Sequence, residues 1–185
     1  ADVIVKPDWL KKGLDMLSKK YSYIGGPIII DKEKVKNISN YYEAHYNPFP
    51  VEKFFENKHF FPTANVFTTR KLIQNVGGFD KRLQSSGDVA FGNRIKTHNK
   101  YKTGFIEGIA VIHPPRNFRS IIKKIARISK GEKDLYKIYP ERFSSLKRSF
   151  LLEIKSGAIP VLPNRKEIFN SSRMKIFFLD IIFQY

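Results

Sequence analysis

The chain has 185 residues (21.6 kDa), 42% of them hydrophobic and 14% aromatic, enough apolar material for the core of one medium domain and too much for a largely disordered protein. It has no cysteine, which excludes a disulfide scaffold, a thiolate zinc site and a cysteine nucleophile. Thirty-four basic against 17 acidic side chains give a net charge of +17, which predicts attraction to polyanions: nucleic acid, an anionic membrane surface, or a phosphate-bearing substrate.

In chain order, Val3-Ile4-Val5 reads as a short buried strand, and a chain that opens Ala1-Asp2 inside it reads as a piece of a longer protein. Pro7 and Asp8 suit the first turn of a helix, in which Trp9, Leu10, Leu14 and Leu17 follow helical spacing. Tyr23 to Ile30 reads as one strand, broken by Gly25-Gly26-Pro27 in a way that suits an irregular or edge position. Residues 37–58 predict helical pieces interrupted at Pro48 and Pro50. Asn65 to Thr69 reads as a strand, and Arg70 to Val76 as a helix closed by Gly77-Gly78. Asp88 to His98 predicts a helix that buries Val89, Phe91 and Ile95, and Tyr101 to Ile112 a strand ending at His113-Pro114-Pro115. This alternation predicts an α/β domain over residues 1–115.

Residues 116–185 predict a basic helical extension. Residues 114–185 hold 16 basic and 6 acidic side chains, and residues 1–113 hold 18 and 11. Ile121, Ile122, Ile125 and Ile128 form a stripe among Arg119, Lys123, Lys124, Arg127 and Lys130. That pattern reads equally as a helix drawn to a membrane or polyanion and as one packed on the domain with its lysines in water. The apolar end, Met174 to Phe183, reads as a docked helix or as the start of a longer hydrophobic segment. No apolar run reaches the ~20 residues that span a bilayer.

Few residues carry chemistry on their own. Asp88, after Ser86-Gly87, reads as a helix cap or as a working carboxylate. The segment Gly77-Gly78-Phe79-Asp80 reads as a turn that delivers Phe79 into a core. His113, at a strand end where α/β sheets bind ligands, reads as a core imidazole or as a ligand for metal or phosphate. No P-loop, GxGxxG, HExxH or GxSxG motif occurs, which argues against a nucleotide hydrolase, a Rossmann dehydrogenase, a zincin and an α/β-hydrolase.

The order of these signals is more specific than any one of them. Ala1-Asp2, Asp8-Trp9-Leu10, Gly25-Gly26, Thr63-Ala64-Asn65-Val66-Phe67, Arg70, Gly77-Gly78-Phe79-Asp80, Gly87-Asp88, Arg94 and His113 together resemble the second half of a family 2 glycosyltransferase, over residues 1 to about 131. The resemblance implies part of a GT-A-like sandwich, a mixed sheet flanked by helices. It places Ala1 and Asp2 at the last two positions of an Asp-x-Asp motif, with the nucleotide-binding half preceding them. Asp2 and His113 then correspond to the ligands of a divalent cation, Mn²⁺ or Mg²⁺, on the diphosphate of a nucleotide-sugar donor. Asp88 corresponds to the base that deprotonates the acceptor hydroxyl, and Asn65, Arg94 and Arg116 to the acceptor or phosphate region. Gly87 stands where the family often has a glutamate, and the Gln-x-x-Arg-Trp motif of processive synthases is missing, which favours single addition.

The activity implied is inverting, metal-dependent hexosyl transfer from a nucleotide-sugar to a glycan or lipid-linked acceptor, in polysaccharide or glycolipid synthesis. It implies a cytoplasmic protein, peripheral at the inner face of a membrane, with no specific nucleic acid as partner, and an inactive isolated fragment. The alternatives are a non-catalytic basic module that binds nucleic acid or an anionic membrane, and a structural domain in which Asp88 caps and His113 packs.

Overall fold

The computed structural model describes residues 2–45 and 49–143, so Ala1 and the apolar stretch 174–183 lie outside the described residues. Among these, the fold is α/β, with six α-helices and two mixed three-stranded sheets. The described residues divide into two compact units, one from 2–33 and 49–114, the other from 34–45 and 115–143.

The first unit holds both sheets. β1 (Ile4–Val5), β6 (Val111–His113) and β3 (Ile28–Ile30) make one, with β6 central, antiparallel to β1 and parallel to β3. β4 (Val66–Thr68), β2 (Tyr23–Gly25) and β5 (Thr103–Phe105) make the other, with β2 central. Both long strands read from the sequence are therefore divided. Gly25-Gly26-Pro27 moves the chain from β2 into β3 of the other sheet, and a 3₁₀ turn at Glu107–Ile109 separates β5 from β6.

The alternation of β2 builds two cores. Tyr23 turns to the cluster that contains Val51, Leu72, Val76, Phe91 and Ile95, contributed by α3 (Val51–Lys58), α4 (Arg70–Val76) and α5 (Gly87–Thr97). Ile24 turns the other way, to Phe67, Ile109 and the half-buried Trp9, Met16 and Leu17 of α1 (Trp9–Lys19). The sheet β4-β2-β5 is thus covered on both faces.

Two expectations change in detail. Ile4 and Val5 are exposed, because β1 is an edge strand rather than a buried one. Leu10 and Leu14 of α1 are also exposed; the inward line runs through Trp9, Gly13, Met16 and Leu17, and Gly13 is bare because the Phe67 ring occupies the space of a Cβ. Of the two positions expected for Gly25-Gly26-Pro27, irregular or edge, the irregular one holds: Gly25 ends a central strand where the chain changes sheets, and glycine is required there because a Cβ would overlap the ring of Phe61.

The second unit contains α2 (Ile38–His45) and α6 (Phe118–Ile138). Asn117 caps α6 by accepting from the Ser120 amide at 3.0 Å. Buried Glu43 of α2 accepts from the Arg116 backbone amide (2.5 Å) and guanidinium (2.7 Å), with Lys124 Nζ at 3.7 Å. Burial, above all, lowers the Lys124 pKa; the neighbouring Arg116 lowers it further and Glu43 opposes the shift. Among the described residues, no helix is long and apolar enough to cross a membrane.

Overpacking a filled core typically costs about 1–3 kcal/mol. Gly25→Ala, placed against Phe61, is expected to lower the unfolding free energy by that order, read as a lower denaturant midpoint at unchanged m-value. A surface control, Gly108→Ala, whose nearest neighbour is the Lys12 side chain at 3.9 Å, is expected to stay near the parent.

Candidate functional site

The sheet β1-β6-β3 ends where the candidate ligands lie. The register pairs Ile4 with Ile112 and Val5 with Val111; extended outward, it sets Val3 level with His113 and Asp2 with Pro114. Asp2 precedes β1, so strict strand alternation does not govern its direction. His113 is buried, its ring 5.6 Å from that of Phe49. Its Nδ1 lies 2.6 Å from the Pro114 carbonyl, which can only accept, so Nδ1–H is the donor and the ring lone pair is at Nε2. A metal-binding histidine is commonly oriented by such a backbone partner.

On the other side of β6 is Asp31, a residue that sequence reading passed over. Its amide donates to the His113 carbonyl at 2.8 Å, and its Oδ1 accepts from the Glu33 amide at 3.1 Å. The signal available was a carboxylate directly after the apolar run Ile28-Ile29-Ile30. Among the described residues, no three His, Asp or Glu side chains come together as a closed metal site.

Asp88 stands on a different element. Ser86, at φ 61°, is the N-cap position of α5, and Asp88 is the second helical residue, so it serves a first-turn amide from within the helix rather than from the N-cap position. Its Oδ1 accepts from the adjacent Val89 amide at 3.0 Å, at a helix start that stabilises an anion. A run of rings supports this turn: Phe55 on Phe61 (4.6 Å), Phe61 near Tyr23 (5.1 Å), Tyr23 against Phe91 (5.8 Å), and Phe91 under Phe79 (4.7 Å). Phe79 is half exposed and covers the start of α5 from outside, rather than filling the core as expected.

Tyr23 connects this run to Asp88 electrostatically. Burial raises its hydroxyl pKa well above the usual range, the hydrogen bond from the Phe61 amide opposes this, and the Asp88 charge adds to the rise. The phenol is therefore neutral at physiological pH.

The other site residues expected from the sequence have structural partners. Asn65 is 1% exposed. Its Oδ1 accepts from Trp9 Nε1 (3.0 Å), and its amide donates to Pro27 O (3.0 Å) and Ile109 O (2.8 Å), so it is a core clamp rather than an open acceptor contact. Arg94 donates through Nε to Val76 O at 3.1 Å and through its guanidinium to Gly78 O, closing the C-terminal end of α4. Arg116 belongs to the second unit, held by Glu43. A cleft of about 190 Å³ lies at the other end of α5, lined by His59, Lys96, Asn99 and Tyr101 among others, and includes none of the residues expected to be functional.

Comparison with known proteins adds one finding. The chain is 26% identical over 159 residues to Glycosyltransferase AglE of Haloferax volcanii, covering 84% of this chain and 51% of that protein. It thus spans about half the length of the curated relative it matches. No protein-family model matches the chain.

The clamp role of Asn65 is measurable. Each buried polar group left without a partner costs about 1–3 kcal/mol; Asn65→Ala would remove the partner of the Trp9 indole and of the Ile109 carbonyl, while Pro27 O keeps the Val111 amide. The variant is expected to melt well below the parent, with an altered Trp9 fluorescence spectrum. An unchanged melting temperature would remove the clamp.

Proposed function

We propose that the chain carries the acceptor side of an inverting, metal-dependent glycosyltransferase of the GT-A type, related to family 2, which transfers a hexose from a nucleotide-sugar to a glycan or lipid-linked hydroxyl. The observation that carries this reading is the likeness to a named glycosyltransferase along 84% of the chain. The pairing of β1 with β6, whose register extended by two residues sets Asp2 level with Pro114, next in sequence to His113, is consistent with the assignment of those two residues. The fold supports it too, since α/β sheets bind ligands at strand ends. The place that goes with this reading is the cytoplasmic side of a membrane.

In the proposed reaction, Asp88 accepts the proton of the acceptor hydroxyl as that oxygen attacks the anomeric carbon. The new carbon–oxygen bond forms as the bond to the diphosphate oxygen breaks. The electron pair leaves with the diphosphate, and the configuration inverts. Asp2, through its carboxylate, and His113, through Nε2, would hold the divalent cation. When bound, that ion neutralises charge on the departing diphosphate. The Pro114 carbonyl keeps the His113 ring in the tautomer required, and the rings of Phe79 and Phe91 hold the turn that presents Asp88.

Asparagine in place of Asp88 retains an oxygen for the Val89 amide but cannot take a proton. In the full-length protein, Asp88→Asn is expected to melt within a few degrees of the parent and to lose about 10²–10⁴-fold in transfer rate, measured over a panel of nucleotide-sugars. Near-parental transfer would remove Asp88 from the mechanism.

A further inference from the structure

The outward face of α6 carries a feature that the proposed transfer reaction does not use. In this 21-residue helix, seven basic side chains face two acidic ones, Glu132 and Asp134, and both acids are half-buried. Arg119, Lys123, Lys130, Lys133 and Lys137 are all exposed, at spacings of four, seven, three and four residues, which set them along one line of the helix. That line is about 27 Å long at 1.5 Å per residue. Ile121, Gly131 and Leu135 are buried on the opposite side.

Lys124, which points away from the line, is paired with Glu43; among the described residues none of the five cations on the line forms an ion pair. Their field is therefore directed outward. Beside the N-terminal end of the line, Phe118 and Ile122, one turn apart, are 43% and 38% exposed.

We propose that this face of α6 is a docking surface for an anionic phospholipid bilayer. Five cations on one line of a straight helix match a flat, laterally continuous negative surface. Phe118 and Ile122 would enter the headgroup boundary at one end, as apolar side chains of interfacial helices do. A single-stranded nucleic acid fits this surface less well, because such ligands are held in grooves with aromatic platforms at successive bases, and this is one convex helix whose exposed ring is Phe118 alone. The inference rests on α6 and not on the transfer reaction, so the two stand or fall separately.

The test is co-sedimentation of the 185-residue chain with vesicles of phosphatidylcholine, alone or with one-third phosphatidylglycerol. Binding is expected only to the anionic vesicles and is expected to weaken strongly between ~0.05 M and ~0.5 M salt. Each cation near such a surface contributes about fivefold in affinity, so Lys123→Gln/Lys130→Gln/Lys133→Gln is expected to lose about a hundredfold. Phe118→Ala/Ile122→Ala is expected to leave a weaker, more salt-sensitive residue of binding. A control with the same charge loss elsewhere, Lys11→Gln/Lys32→Gln/Lys53→Gln, is expected to bind like the parent, and far-UV circular dichroism to show all variants folded.

Three results would overturn the proposal. One is equal loss in the control, which would assign the effect to net charge; another is binding indifferent to the triple substitution. The third is tighter association with a short duplex or single-stranded DNA than with the anionic vesicles at the same salt.

Discussion

One side-chain carboxamide holds the first unit in register. Asn65 precedes β4, yet its two amide hydrogens are donated to Pro27 O and Ile109 O, just before β3 and just before β6. Its oxygen takes the indole N–H of Trp9 at the start of α1. Four segments distant in sequence are tied at one fully buried point, where a hydrogen bond is strong and an unmade one is costly. Pro27 O also accepts from the Val111 amide, so the clamp and the β3–β6 ladder share an atom. The position of His113 at the end of β6 follows from that register.

A second support runs through the aromatic rings. Phe55, Phe61, Tyr23, Phe91 and Phe79 form a continuous series of contacts from α3, across the central strand β2, to the turn before α5. Arg94 fixes the same turn from the other side by closing α4 at Gly78. The carboxylate of Asp88 is therefore presented by a braced helix start. Ser86 holds a left-handed backbone there, a conformation that persists only where surrounding structure imposes it.

Much of this was legible in the residues, and the exceptions have physical causes. The helix Arg70–Val76 ends at the expected Gly77, whose φ of 84° needs no Cβ, and Thr69 caps its start. α6 was visible from its 3.6-residue pattern, though it extends to Ile138. The division of residues 23–30 and 101–112 between two sheets was not visible, because each half is apolar and hydrophobic runs do not reveal which neighbours they pair with. The resemblance puts Asn65 in the acceptor or phosphate region, and an asparagine beside a strand looks the same in sequence whether it faces substrate or two buried carbonyls and an indole. Glu43 went unnoticed although a lone acid among Tyr41, Tyr42 and Ala44 was a signal for a buried partner. What that partner was, Arg116, lay 73 residues away.

The central proposal is that Asp2 and His113 give this chain's share of a cation–diphosphate site. Paramagnetic broadening reads it directly. Mn²⁺ with a nucleoside diphosphate is titrated into the isotope-labelled chain while its amide and imidazole signals are followed. The account predicts that Asp2, Val3 and His113 broaden first, that Asp31, whose amide donates to the His113 carbonyl, broadens next because it lies close by, and that His113→Gln removes the effect. Broadening confined to other carboxylates, with Asp2 and His113 unchanged, would contradict it.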